Sequence, residues 1–78
     1  MNDLISRIKP LVEEITFKSV EVDTPLFSSG FIDSIGIVDL AMMLEDEFMI
    51  KIDTRDIIEE NFNTIECLNK YISGKFDE

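Results

Sequence analysis

The sequence predicts an all-α protein, a four-helix bundle with a long first loop and a short third helix. Apolar residues return at steps of three and four along most of the 78-residue chain, which is the spacing that aligns them on one face of an α-helix. Hydrophobic residues make up 45% of the chain, so a core can form despite a formal charge of -10. A chain of this length has material for one core, and we expect residues 1–78 to form a single domain.

The first helix is predicted from the apolar residues near the start of the chain. Leu4, Ile8, Leu11 and Ile15 follow one another at steps of four, three and four, and charged residues take the opposite side. Pro10 interrupts this pattern. Proline lacks a backbone N–H and crowds the carbonyl one turn earlier, so we expect a kink or a late start of the helix there.

A long loop is predicted between Thr16 and Asp33. Pro25 and Gly30 argue against a continuous helix, whereas the apolar residues of the segment argue against a free linker. We therefore expect the loop to be held against the core. A loop of this length in a small domain is usually functional or else indicates a wrong assignment of elements, and we favour function because of the motif that follows it.

The strongest helical pattern covers residues 34–48, with Asp33 or Ser34 as its N-cap. Its wide apolar face, which we expect to enter the core, contains Ile37, Leu40, Ala41, Leu44 and Phe48. A second and narrower apolar face, here called the apolar stripe, consists of Ile35, Val38 and Met42. The acids that border this stripe are Asp39, Glu45 and Asp46. An exposed apolar stripe with an acidic rim indicates a docking surface.

Two further helices are predicted in the last third of the chain. Asp53 or Thr54 can cap a short helix that carries Ile57 and Ile58. A final helix follows, with its apolar residues on one face.

The limits of this final helix are predicted from local signals. Asn63 and Glu66 have the spacing of a capping box at its start, and Gly74 followed by a charged tail marks its end. Cys67 lies among the apolar residues of the helix, and we interpret it as a small buried hydrophobe.

Composition excludes several classes of function. The chain has no histidine and one cysteine, which leaves neither the commonest general base nor a His/Cys zinc site, so we expect no enzyme, no catalytic residue and no metal. Its 17 acidic residues against 7 basic ones disfavour binding to nucleic acid and to anionic membranes. The sequence shows neither a membrane-inserting segment nor a secretory signal, and we expect a cytoplasmic monomer.

The loop and the start of the second helix contain the most informative motif. The run from Asp23 to Ile35 places Pro-Leu-Phe, then a glycine, an apolar pair, Asp33-Ser34 and one more apolar residue in order. This run resembles the attachment region of the acyl carrier protein family, which includes acyl, D-alanyl and peptidyl carriers. The resemblance continues through residues 44–48 and 63–65, so it covers essentially the whole chain and implies a bundle of acyl carrier type.

The resemblance implies a covalent cofactor. In this family a phosphopantetheinyl transferase moves 4'-phosphopantetheine from coenzyme A to the serine that corresponds to Ser34, and Asp33 belongs to the motif that the transferase reads. The thiol of the arm then holds an acyl or aminoacyl group as a thioester for fatty acid, polyketide, D-alanylation or related biosynthesis. A serine at a helix N-terminus suits this role physically, because the unpaired N–H groups there favour a phosphodiester anion.

The resemblance also implies partners. Loading and processing enzymes of the family present basic docking patches, and the corresponding contact residues here are Ile35, Val38, Asp39, Met42, Glu45 and Asp46. Gly36 departs from the pattern, because housekeeping fatty acid carriers usually place an acidic residue at this position. The Ser-apolar-Gly order is similar to that of D-alanyl carrier proteins and some specialised carriers.

Three other functions compete with the carrier interpretation. An unmodified acidic helical adaptor could use the same stripe to bind a basic partner without any cofactor. A calcium-binding protein lacks the Asp-x-Asp-x-Asp-Gly loop that it would need, and a hydrolase with Ser34 as nucleophile lacks a histidine.

Overall fold

The fold is that of a computed structural model, which describes residues 3–76. It contains α1 (Asp3–Thr16), α2 (Ser34–Phe48), a 3₁₀ turn (Thr54–Asp56), α3 (Glu59–Phe62) and α4 (Ile65–Phe76), and these residues include no β-strand. α1 packs against both α2 and α4, and α3 packs against α4. The prediction of an all-α, four-helix protein with a long first loop and a short third helix is confirmed. No helix within residues 3–76 has the length and apolar character needed to cross a membrane.

α1 runs through its proline. Ile8 and Val12, which lie on either side of Pro10, are fully buried, while Pro10 itself is exposed. The helix already includes Asp3, so the alternative of a late start at Pro10 is wrong. The missing N–H falls on the solvent side of the helix, where it disturbs the structure least, and burial on both sides of the proline keeps the two turns in one helix.

α2 supplies the centre of the core. Its five buried residues are the ones predicted from the sequence: Ile37, Leu40, Ala41, Leu44 and Phe48. The guanidinium of Arg7 lies 4.5 Å from the centre of the Phe48 ring and donates to the Glu47 side chain at 3.1 Å. α1 and α2 are therefore held together at this end by a cation–π contact and an ion pair, in addition to apolar packing.

The third helix does not lie where the sequence placed it. Asp53 caps the 3₁₀ turn by accepting a hydrogen bond from the Arg55 N–H at 3.0 Å, and Ile57 and Ile58 then connect this turn to α3. The prediction of a short helix carrying both isoleucines is wrong, because Ile58 is extended (φ -128°, ψ 161°) and precedes α3. α3 is fixed instead by Phe62, whose side chain is completely buried.

The long first loop is joined to the start of α4 by Asn63. The side-chain oxygen of Asn63 accepts hydrogen bonds from the N–H groups of Phe27 (3.0 Å) and Ser28 (3.2 Å), and its carbonyl accepts from the Leu26 N–H. Asn63, which lies between α3 and α4, thus satisfies three consecutive backbone donors of the loop. Leu26 is fully buried beside these bonds, so the loop is held against the core as expected.

Asn63 is therefore not the cap of α4, and the predicted capping box is wrong. Thr64 takes that place, because its hydroxyl oxygen accepts from the Cys67 N–H at 3.0 Å. The Glu66 N–H donates to the carbonyl of Val22 at 3.1 Å, which adds a second bond between loop and helix. The Asn63 side-chain oxygen and the Glu66 N–H, which could both have served the N-terminus of α4, therefore bond to the loop instead.

α4 also ends later than predicted. Gly74 lies inside the helix, which continues to Phe76, so the predicted end at Gly74 is wrong. The Phe76 ring packs edge-on against Phe48 at 6.1 Å between centroids, and this contact favours the additional residues of the helix. The charged tail predicted after Gly74 includes Asp77 and Glu78, which lie outside the described residues. Cys67 is half-buried rather than buried, which corrects its interpretation as a fully buried hydrophobe.

We expect Asn63→Ala to lower the free energy of unfolding by about 1–3 kcal/mol, because it leaves backbone donors of the loop without their acceptor. Asn69→Ala is the matched control. The side-chain oxygen of Asn69 is buried without a hydrogen-bond partner among residues 3–76, and alanine favours the helix, so the control should not destabilise the protein. Urea unfolding of both variants measures the difference. Equal losses would contradict the assigned role of Asn63.

Candidate functional site

Ser34 is the first residue of α2, and its side chain is exposed. The residue before it caps the helix: Asp33 has an extended backbone (φ -90°, ψ -176°), and its carboxylate accepts from the Gly36 N–H at 2.7 Å. The sequence left the cap open between Asp33 and Ser34, and the structure assigns it to Asp33. The hydroxyl of Ser34 is consequently not needed to cap the N-terminus of α2.

The N-terminal turn of α2 retains unused hydrogen-bond donors. The N–H groups of Gly36 and Ile37 bond to Asp33, whereas those of Ser34 and Ile35 have no partner within residues 3–76. Free N–H groups and the helix dipole together favour an anion at this position. A phosphate attached to the Ser34 hydroxyl fits this surrounding, since it would lie next to these donors.

The loop before α2 brings Ser34 to the surface by a tight turn. Gly30 has a φ of 81°, a conformation that glycine adopts without strain, and its N–H donates to the carbonyl of Phe27 at 3.1 Å. The Ile32 N–H then donates to the carbonyl of Leu26 at 3.2 Å, and both of these side chains are buried. The two buried residues anchor the turn, and the chain emerges at Asp33 and Ser34.

The apolar stripe of α2 is exposed. Ile35, Val38 and Met42 retain 73%, 43% and 61% of their surface, respectively. Sequence analysis missed Met49, which is 90% exposed and ends α2 in a left-handed conformation. Its position seven residues after Met42 was the available signal, because this spacing continues the same face by two turns.

The three acids that border the stripe are not equivalent. Asp39 and Asp46 are exposed, whereas Glu45 is half-buried and its carboxylate accepts from the Ile52 N–H at 2.6 Å. The carbonyl of Glu45 also receives the N–H of Met49, which closes the end of α2. Glu45 therefore holds the segment after α2 in place, a role that its position in a charged run did not reveal.

The fold and the site together define a class of protein. A helical bundle whose loop delivers an exposed serine to the N-terminus of α2, preceded by a capping aspartate, is the architecture of a carrier domain. The family described as Phosphopantetheine attachment site matches residues 6–72 of the chain. The chain belongs to this family of carrier proteins and carries covalently attached 4'-phosphopantetheine. As in the rest of the family, modifying and loading enzymes act on it.

Individual relatives are similar over nearly the whole chain. The D-alanyl carrier protein of Streptococcus suis is 35% identical over 74 residues, which cover 92% of this chain and 90% of the relative. The D-alanyl carrier proteins of Streptococcus mutans and Streptococcus sanguinis are 31% and 30% identical over the same shares.

We expect Glu45→Ala to lower the free energy of unfolding by about 1–3 kcal/mol, because the backbone N–H of the buried residue Ile52 loses its acceptor. Asp46→Ala removes the same charge from an exposed neighbour and should change stability by less than about 0.5 kcal/mol. Thermal or urea unfolding of the two variants gives the comparison. A stable Glu45→Ala protein would mean that the hydrogen bond to Ile52 contributes little.

Proposed function

We propose that residues 1–78 act as one non-catalytic carrier domain in which Ser34 bears the 4'-phosphopantetheine arm. The observation that supports this is the exposed Ser34 hydroxyl at the N-terminus of α2, left available because Asp33 is the cap. In the attachment step the Ser34 oxygen gives up its proton and bonds to the phosphorus that carries pantetheine in coenzyme A. The bond from this phosphorus to the bridging oxygen of the diphosphate breaks, and adenosine 3',5'-bisphosphate leaves with that oxygen. The arm supplies a terminal thiol for a thioester, and Ser34 is its anchor rather than a catalyst.

We propose further that the cargo is a small acyl or aminoacyl group, with D-alanyl as the first candidate. Three D-alanyl carrier proteins at 30–35% identity support this choice, and so does Gly36 in place of an acidic residue.

Partner enzymes are proposed to dock on the exposed side of α2. Ile35, Val38 and Met42 would supply apolar contact area, and Asp39 and Asp46 would meet basic side chains of the partner. Glu45 contributes to this surface mainly by holding the segment that follows α2.

Ser34→Ala tests the attachment residue. The purified protein is incubated with coenzyme A, magnesium and a broad-specificity phosphopantetheinyl transferase, and its intact mass is measured. We expect the natural sequence to gain one phosphopantetheinyl group and Ser34→Ala to gain none.

Ser28→Ala is the matched control, because Ser28 is an exposed serine of the same loop, and it should be modified fully. A gain of mass by Ser34→Ala would overturn the assignment of Ser34. If the natural sequence gains nothing while Ser34→Ala retains all partner binding, the alternative of an unmodified acidic adaptor is correct instead.

Val38→Asp tests the docking surface. A charge in the centre of the apolar stripe should raise the KM of the transferase for this protein at least about tenfold, which corresponds to roughly 1.4 kcal/mol of lost contact. Ile58→Asp places the same charge at an isoleucine of almost equal exposure, 45% against 43%, but outside the stripe. Steady-state kinetics of both variants should show the increase for Val38→Asp only. Equal KM values for the Val38→Asp and Ile58→Asp variants would mean that the stripe on α2 is not the docking surface.

A further inference from the structure

A cleft opens beside Ser34, between the end of α1 and the start of α2. Its volume is about 410 Å³, and its lining includes Ile15 and Phe17 from the α1 side and Asp33, Ile35 and Gly36 from the α2 side. We propose that this cleft receives the loaded end of the arm when the cargo is an aminoacyl group, and that Glu14 and Asp39 hold the ammonium of that group. This inference rests on the proposed attachment at Ser34.

The position of the cleft favours an occupant attached at Ser34. Asp33 and Ile35, the two neighbours of Ser34 in the chain, both line it, so the serine lies at its edge. A group tethered at the edge of a cleft is present there at a high effective concentration, and weak contacts are enough to keep it in place. The larger cleft near Met49 lies at the opposite end of α2 and lacks this advantage.

Gly36 keeps the floor of the cleft open. A Cβ atom at this position would lie 3.2 Å from Cγ2 of Ile32, 3.3 Å from the carboxylate of Asp33 and 3.7 Å from Cγ2 of Ile15. The first two distances are tight, so even alanine requires its neighbours to move slightly. A longer side chain would have to project into the space between the two helices.

The lining combines an apolar floor with two available carboxylates. The half-buried side chains of Ile15 and Met43 supply the floor, Phe17 is 90% exposed at the rim, and Glu14 and Asp39 are exposed. Neither of these acids has a hydrogen-bond or ion-pair partner within residues 3–76, whereas Glu13 next to them accepts from the Val20 N–H. No lysine or arginine of the described chain lines the cleft.

This chemistry selects a cation with a small apolar body. A protonated amine would be attracted by both carboxylates, and a methyl group would contact the apolar floor. A cargo that ends in a carboxylate would be repelled by the same acids. The phosphodiester of the arm would remain at the N–H groups of α2, outside the acidic cleft.

A matched pair of cargoes tests the proposal. The transferase is supplied with coenzyme A that carries D-alanyl or propionyl through a stable amide, two groups that differ only by the amine. Backbone and methyl NMR shifts are then compared with those of the protein bearing the unloaded arm. We expect D-alanyl to shift the signals of Ile15, Phe17, Gly36 and Met43, and propionyl to leave most of them unchanged. Added salt should weaken the D-alanyl shifts.

Charge variants complete the test. The double variant Glu14→Gln and Asp39→Asn should lose the D-alanyl shifts, whereas Asp46→Asn with Glu59→Gln removes two exposed acids outside the cleft and should retain them. The inference is overturned if D-alanyl and propionyl produce the same shifts, or if the double variant retains them. Failure of the transferase to modify Ser34 in the natural sequence would instead reject the proposed function, so the two failures can be told apart.

Discussion

The bonds between Asn63 and the long loop are the constraint on which the functional region depends. A carrier must present a serine in the open, yet the loop that delivers it has to stay fixed, and its backbone N–H groups need partners. Asn63 meets both needs from the start of α4, because one amide oxygen and one carbonyl serve the donors of Leu26, Phe27 and Ser28. One side of the loop is thereby packed against the core, and the other side presents Ser34 at the surface.

α2, which begins directly after this loop, completes the site around Ser34. Its buried face is continuous with the core, and its N-terminus is closed by Asp33, so the helix needs nothing from Ser34. The division between the two residues has a physical reason. A carboxylate accepts strongly from a backbone N–H at a cap, whereas a hydroxyl committed to capping would be less available for modification. The aspartate therefore leaves the neighbouring serine free to act as an anchor.

The surroundings of Ser34 offer two surfaces with different chemistry. The apolar stripe is open and points away from the core, which suits contact with another protein. The cleft lined by Ile15, Gly36 and Asp39 is concave and acidic, which suits a small cationic group carried on the arm. Because Ile35 and Asp39 belong to both surfaces, a partner that docks on the stripe would reach the edge of the cleft that holds the loaded group.

By itself, the sequence determined the helical class, the buried face of α2 and the placement of Asp33-Ser34 at a helix start, because all three follow from periodicity and local capping chemistry. Tertiary structure decided the rest. Asn63 bonds to the loop instead of capping α4, Ile58 is extended before α3, and α4 passes Gly74 to reach Phe48 through Phe76. The cleft beside Ser34 is also a product of tertiary structure. In each case the outcome depends on contacts between residues that are distant in sequence. Such contacts leave no signal in a local sequence pattern.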